Sequence, residues 1–425
     1  MKNYQSMSKE ELQSEYDILL SKYNEMKQQG LSLDMSRGKP APEQLDLAMP
    51  MLDILTGNEM MNTENGFDTR NYGILDGIPE AKKLFADMLE LKPENILVGG
   101  NSSLNMMYDS VARSMSFGVM GSTPWNKLEK VKFLCPVPGY DRHFAICELF
   151  GIEMINIPMD NKGPNMDMVE ELVANDDSIK GIWCVPKYSN PSGITYSAEV
   201  VKRFGALKPK ANDFRIYWDN AYVVHDLTET PDELVNIYEE CKKNSNEDMV
   251  FEFASTSKIS FSGAGIAVMG ASVDNLNFIR KHLTIQTIGF DKMNQLRHVK
   301  YYKDINGIKE HMKKHKEIIA PKFDAVINAL NTNIAPYGIA TYETPNGGYF
   351  ISFNTMSGCA KRVGQLCKDA GLVMTPSGAT FPYGNDPDDS NIRIAPTYPS
   401  IEELNTAMEL FCYCVKIATI EKLLK

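Results

Sequence analysis

Apolar positions follow two alternating patterns along this chain. In the runs VKFLC, EMINIP, GIWCVP, FRIYWD, MVFEFA and GIAVMG, most positions are apolar. Between most of these runs lie stretches such as DMVEELVAN and SAEVVKRFGAL, where apolar residues return every three or four positions. The first pattern predicts strands covered on both faces; the second predicts amphipathic helices. Alternated, they predict an α/β fold with a mainly parallel sheet between helices. Upstream, residues 9–29 and 78–91 read as helices, and NILVGG reads as a short strand ending in glycines. The segment SLDMSRGKPAPEQLDL, rich in proline and polar groups, reads as a loop.

From about residue 305 the pattern changes. A long charged helix over 308–330 precedes a strand at YFISF, a helix near 359–370, a strand at NIRIA and a final helix from Ile401. This predicts a smaller α+β domain. The expected division is 1–65 as an N-terminal helix and loop packing with the small domain, 66–305 as the large domain, and 306–425 as the small domain.

Composition narrows the function. The chain has 425 residues and a formal net charge of −11, which disfavours nucleic acid and anionic membrane surfaces as partners. The most basic stretch, KEHMKKHKE, has helical spacing and reads as a solvated helix face. No apolar run approaches the ~20 residues of a membrane span, and the polar N-terminus, with Ser8 and Glu11 as a capping pair, does not read as a signal peptide. Eight cysteines are scattered without a CxxC pair, and the six histidines add no zinc pattern, His311 and His315 included. Free thiols in a chain of this size fit a reducing cytoplasm.

In a mainly parallel sheet the ligand sits beyond the carboxyl ends of the strands, and polar residues gather at those places here. After MVFEFA comes STSKISFSGAG, with Lys258 among small hydroxyl residues and glycines. Within WDNAY, Asp219 closes an apolar strand, a poor place for a carboxylate unless a cation meets it, and Tyr222 follows. SNPSG presents Asn190 in a turn. GGNSSL presents Asn101, Ser102 and Ser103 at a helix start, where backbone N–H groups cradle an anion. One ligand uses all of these: pyridoxal 5′-phosphate. A lysine amine condenses with its aldehyde, and a carboxylate holds its ring nitrogen protonated. Opposite charges ~4 Å apart at an effective dielectric of ~20 attract by about 4 kcal/mol, or roughly three pKa units. Tyr222 and Asn190 suit the phenolic oxygen; Asn101, Ser102, Ser103, Ser255 and Ser257 suit the phosphate.

The order NPSG, WDNAY, STSK and NIRIAP resembles the PLP-dependent fold-type I, class I aminotransferases, from about Asp34 to the end. SRGKP, NYGILDGIPEAKKLFADML, GGNSSL, CPVPGYDRHF and STSKISFSGAG together are similar to the aspartate aminotransferase subgroup Ic. The resemblance implies Lys258 as the Schiff-base lysine and proton carrier, Asp219 at the ring nitrogen, and Asn190 and Tyr222 at the phenolic oxygen. It implies Tyr140 stacked on the ring, Arg393 clamping the substrate α-carboxylate in a bidentate fork, and Gly38 approaching substrate through its backbone. It further implies a homodimer with shared sites, Tyr72 reaching the partner's phosphate. One departure stands out: many relatives carry an arginine shortly after the lysine, and SKISFSGAGIAV has none.

The subgroup implies L-aspartate and 2-oxoglutarate as substrates. Lys292, Arg297 and Arg37 are the candidate cations for a distal carboxylate. The alternatives are an aminotransferase for aromatic amino acids, kynurenine or 2-aminoadipate, and a β-lyase using the same cofactor.

Overall fold

The structure is a computed structural model in which residues 3–425 are described. Its centre is an eight-stranded sheet in the order Ile96–Val98, Ala267–Ala271, Val250–Ser255, Arg215–Asp219, Ile179–Cys184, Lys132–Val137, Glu153–Asp160 and Gly163–Pro164. The five strands from Val250–Ser255 to Glu153–Asp160 run parallel. The run GIAVMG departs from the parallel rule, since Ala267–Ala271 is antiparallel to both neighbours. At the other edge, Gly163–Pro164 pairs for only two residues, a position where proline removes no central ladder bond.

The apolar runs are continuous because each strand serves two cores. Phe133, Trp183, Tyr217, Phe251 and Phe253 enter the layer under helix Ser103–Phe117. Leu134, Ile182, Ile216, Trp218 and Val250 enter a layer on the opposite side. Period-two alternation sorts them, so Asp219 and Trp218 face opposite ways.

A second core gathers both ends of the chain. Helix Ile401–Leu424 is buried along most of its middle and packs on Lys9–Gln28, Ile305–Asn333 and Ala360–Asp369. Strands Ala340–Tyr342, Ile351–Thr355 and Asn391–Ile394 form an antiparallel sheet beside them. Helix Ile305–Asn333 belongs to both bodies: Ile308 and Met312 pack with the large sheet's helices, Phe323 and Leu330 with the second core. Capping boxes start the two terminal helices at Ser8 and Ser400.

Two expectations need correction. The segment read as a loop contains strand Leu33–Asp34, paired in parallel with Leu372–Val373, and helix Pro42–Asp46, with proline at its first position. The stretch KEHMKKHKE exposes Lys309, Glu310, Lys313, Lys314 and Glu317, but it buries His311, Met312 and His315. Only one side of that helix is solvated. All eight cysteines are free and buried, and no helix among the described residues is long and apolar enough to cross a membrane.

Candidate active site

Five chain segments reach one end of the sheet, each leaving a strand that points the same way. Strand Arg215–Asp219 ends on Asp219, and Val250–Ser255 ends on Ser255, three residues before Lys258. The strands Ile96–Val98, Lys132–Val137 and Ile179–Cys184 lead to Asn101, Tyr140 and Asn190.

Asp219 is 3 % exposed. Its Oδ2 lies 3.1 Å from His143 Nε2, and its Oδ1 is buried with no hydrogen-bond partner. An orphaned carboxylate oxygen is costly, and this one is free to receive a charged donor. His143 is held by stacking on Trp183, with centroids 4.5 Å apart and planes 12° apart, and by the edge of Tyr140 at 4.9 Å.

The half-buried Lys258 Nζ sits 5.0 Å from the centre of the Tyr222 ring and 5.7 Å from that of Tyr349. Burial lowers its pKa, and the Asp219 carboxylate pulls in the opposite direction. The net direction favours a neutral, nucleophilic amine. Burial raises the Tyr222 hydroxyl well above its ordinary value, and Tyr140 and Asp219 add to that. The Tyr140 hydroxyl rises to about 12 through burial and the Asp219 charge. Both phenols therefore stay protonated and can donate.

Arg393 is 6 % exposed, in the strand Asn391–Ile394. Its Nη1 donates to Asp141 Oδ1 at 3.1 Å and Asn190 Oδ1 at 3.3 Å, and its Nε donates to Thr375 Oγ1 at 3.3 Å. The guanidinium lies 4.9 Å from the centre of the Phe350 ring. A Cβ on Gly38 would sit 2.5 Å from Phe350 Cζ, so the Gly38 backbone lies directly against the residue that supports Arg393.

At the start of helix Ser103–Phe117, Ser102 makes no side-chain cap bond, which leaves the first N–H groups open. Ser257 Oγ donates to Asn101 O at 3.4 Å, Ser255 Oγ donates to Ser257 Oγ at 3.0 Å, and Asn101 Nδ2 donates to Gly263 O at 3.3 Å. Hydroxyls and a free helix N-terminus thus meet beside the lysine loop, a cradle for a phosphate without an arginine. Together with the orphaned Asp219 oxygen and the two protonated phenols, this donor set fits pyridoxal phosphate.

Some candidates lie elsewhere. Tyr72 is 78 % exposed, and no side-chain hydrogen bond or ring contact joins it to the cluster among the described residues. Arg37 is exposed. Lys292 is buried with Nζ 3.5 Å from Phe290 O. Arg297 donates to Asn294 Oδ1, and Asn294 Nδ2 donates to Ala264 O and Gly265 O, so this pair braces the glycine loop after Lys258.

Sequence reasoning missed several residues. His143 stands in PGYDRHF one turn after Tyr140, and that spacing was its only signal. His311 Nε2 and His315 Nε2 lie 2.9 and 3.1 Å from the carbonyl of Ile259, the residue after Lys258. Gln44 Nε2 lies 3.0 Å from His315 Nδ1 and donates to Tyr349 Oη at 2.9 Å. An amide donor at Nδ1 assigns the His315 proton to Nε2. Burial lowers both imidazole pKa values, that of His315 to about 4. Two neutral histidines thus hold the backbone behind the lysine, a role that their four-residue spacing did not reveal.

The Aspartate amino-transferase family model matches residues 7–425. An aspartate aminotransferase of Corynebacterium glutamicum is 44 % identical over 407 residues, covering 96 % of this chain and 94 % of that protein. The crystal structure of an aspartate transaminase from Corynebacterium glutamicum superposes with a TM-score of 0.96 at 42 % identity, covering 98 % of each chain. An alpha-aminoadipate aminotransferase from Thermus thermophilus shares the fold, with a TM-score of 0.74 at 18 % identity over 92 % of this chain and 93 % of that one. The chain belongs to the aspartate amino-transferase family of PLP-dependent class I aminotransferases and is an aminotransferase of fold type I.

Proposed function

We propose that the protein moves the amino group of L-aspartate to 2-oxoglutarate, with pyridoxal 5′-phosphate carried on Lys258. The observation that carries the cofactor assignment is the buried, unpartnered Oδ1 of Asp219 on a carboxylate whose other oxygen faces His143. The substrate assignment rests on the 44 % identity to the aspartate aminotransferase of Corynebacterium glutamicum. The Thermus alpha-aminoadipate aminotransferase, similar in fold, was solved with N-(5′-phosphopyridoxyl)-L-leucine, a ligand of the chemistry this donor set suits.

When bound, the cofactor supplies an aldehyde for amine exchange and a protonated ring that takes up electron density. The residues do the rest. Asp219 Oδ1 holds the ring-nitrogen proton. Tyr222 and Asn190 would hold the phenolic oxygen, and Tyr140 would stack on the ring. Lys258, its amine favoured by burial, takes the substrate's Cα proton. Arg393 grips the α-carboxylate, with Asp141, Asn190 and Thr375 fixing its plane. Ser102, Ser103, Asn101, Ser255 and Ser257 hold the phosphate.

The same reading makes the protein a cytoplasmic homodimer in which Tyr72 completes the partner's phosphate site. It also keeps the division at 1–65, 66–305 and 306–425. Light scattering that returned a fully active monomer would remove the role of Tyr72.

Visible absorbance tests the cofactor and substrate together. The purified protein is expected to be yellow, to bleach with L-aspartate and to recover with 2-oxoglutarate, while Lys258→Ala lacks the yellow band. A yellow protein indifferent to aspartate would keep the cofactor site and overturn the substrate. A protein that stays colourless with added pyridoxal phosphate would overturn both.

A further inference from the structure

On the side of the sheet facing away from Asp219, the fold forms a separate cavity of about 910 Å³ that opens to solvent. Trp218, Asn220 and Glu252 stand at its floor, and helices Pro79–Leu89 and Ile305–Asn333 and the segment 226–237 supply its walls. Neither Lys258 nor any other residue assigned to the cofactor lines it.

The floor is chemically unusual. Glu252 interrupts the apolar strand Val250–Ser255 opposite Trp218 and is 4 % exposed. Its Oε1 accepts from Asn220 Nδ2 at 3.0 Å, and no residue among those described donates to its Oε2. Asn220 is 5 % exposed, and its Oδ1 is buried without a partner. Glu252 Oε2 thus lacks a donor at the base of the cavity, and the unpaired Asn220 Oδ1 beside it is buried out of solvent's reach. Burial, with Glu90 adding to it, holds the Glu252 carboxyl at about 7, so a cation arriving there would meet a group ready to ionise.

The walls favour the same sign of ligand. Lys187 and Lys316 are paired with Asp226 and Glu229 of the cavity itself, and Lys313 with Glu310. That leaves Asp87, Glu90, Asp232, Glu233 and Glu317 on the walls without ion pairs, against Lys309 alone among the described residues. No group of three or more carboxylates, histidines or cysteines among them is spaced to hold a metal ion. Met88, Leu89, Leu234, Ile237 and Met312 supply apolar wall.

We propose that this cavity binds an organic ammonium ion with an apolar body. Its ammonium N–H donates to Glu252 Oε2, and its hydrocarbon lies along the methionine and leucine wall. The inference does not depend on the substrate of the cofactor site.

Calorimetric titration of the holoenzyme at pH 8 with N-methylhexylamine tests it. This secondary ammonium carries two N–H donors and cannot form a neutral imine with an aldehyde. Hexanoate serves as the anionic control. Saturable binding at one site per chain is expected for the amine and none for hexanoate, with the visible absorbance unchanged. Glu252→Gln should weaken binding about tenfold or more, the size of a lost charge-assisted hydrogen bond. Val235→Trp, filling the cavity from a half-buried wall position, should abolish it, with a thermal melt of each variant confirming the fold. No saturable heat with the wild type, equal binding by hexanoate, folded variants that bind like wild type, or a change in the visible band would each overturn the proposal.

Discussion

Asp219 and Glu252 stand on adjacent strands of one sheet, 3 % and 4 % exposed, and each has one oxygen engaged. They point to opposite faces and into opposite company. Asp219 looks toward a lysine amine, an imidazole and two phenols. Glu252 looks toward an amide and a second carboxylate, and burial lifts it to about 7. Burial of a carboxylate therefore does not identify a catalytic group. The donors converging on its free oxygen do, and only on the Asp219 face do those donors also include a nucleophile and an anion cradle.

The largest effect should come from the Asp219 face. Asp219→Asn keeps the shape and removes the charge that holds the ring-nitrogen proton. Losing about 4 kcal/mol of pairing lowers kcat about 10³-fold, with the melting temperature little changed. A fall of less than tenfold in single-turnover kinetics would break the contrast, because Asp219 would then be no more than another buried carboxylate.

Glu252→Gln should act in the opposite sense, on stability. The folded pKa of about 7 lies above the ordinary 4.5. Between those two values the unfolded chain releases a proton that the folded chain keeps, so the acid costs stability as pH rises through this window. The cost levels off above pH 7 at about 3 kcal/mol. Gln carries no such cost. Chemical denaturation should show the variant more stable than wild type at pH 8, with the gap closing toward pH 4.5 and kcat unaltered. A variant less stable at pH 8 would mean that Glu252 is ionised and paired in the fold.

Much of the Asp219 face was legible in the sequence, because its residues sit where strands end and in types that apolar strands do not need. Lys258, Asp219, Tyr222 and Asn190 each break a local pattern. The supports were not legible. His143, Phe350 and Asp141 act through contacts made only when distant segments meet, and Asp141 is 252 positions from Arg393. His311 and His315 looked like part of a solvated face because the lysines around them dominate the stretch. Burial of one helix side depends on what packs there, and here that is the carbonyl of Ile259. The antiparallel Ala267–Ala271 was hidden for a related reason: an apolar run carries no sign of its direction. Glu252 was visible inside MVFEFA, but a single acid in a strand does not announce a cavity behind it.

Arg393→Lys comes next in size. It replaces a fork fixed by Asp141, Asn190 and Thr375 with a single ammonium, so the KM for donor and acceptor should rise together by roughly 10- to 100-fold, the loss of one charge-assisted bond. Binding of N-methylhexylamine on the other face should not move. Unchanged KM values for both would show that Arg393 does not hold the α-carboxylate that the two substrates share.

The smallest effect tests how far the Asp219 face depends on shape. In Gly38→Ala the added Cβ would fall 2.5 Å from the Phe350 ring. Phe350 is itself buried, so its ring must tilt instead of swinging into solvent, and its face then leaves the Arg393 guanidinium that it now supports. Losing that cation–π contact is worth about 1 kcal/mol, or about a fivefold rise in KM for both substrates with kcat nearly constant. Gly57→Ala is the matched control: its new Cβ meets nothing within 4 Å, so it should leave KM alone. If Gly38→Ala also left KM alone, Phe350 would be packing and not a platform, and Arg393 would owe its orientation to Asp141, Asn190 and Thr375 without help from the ring.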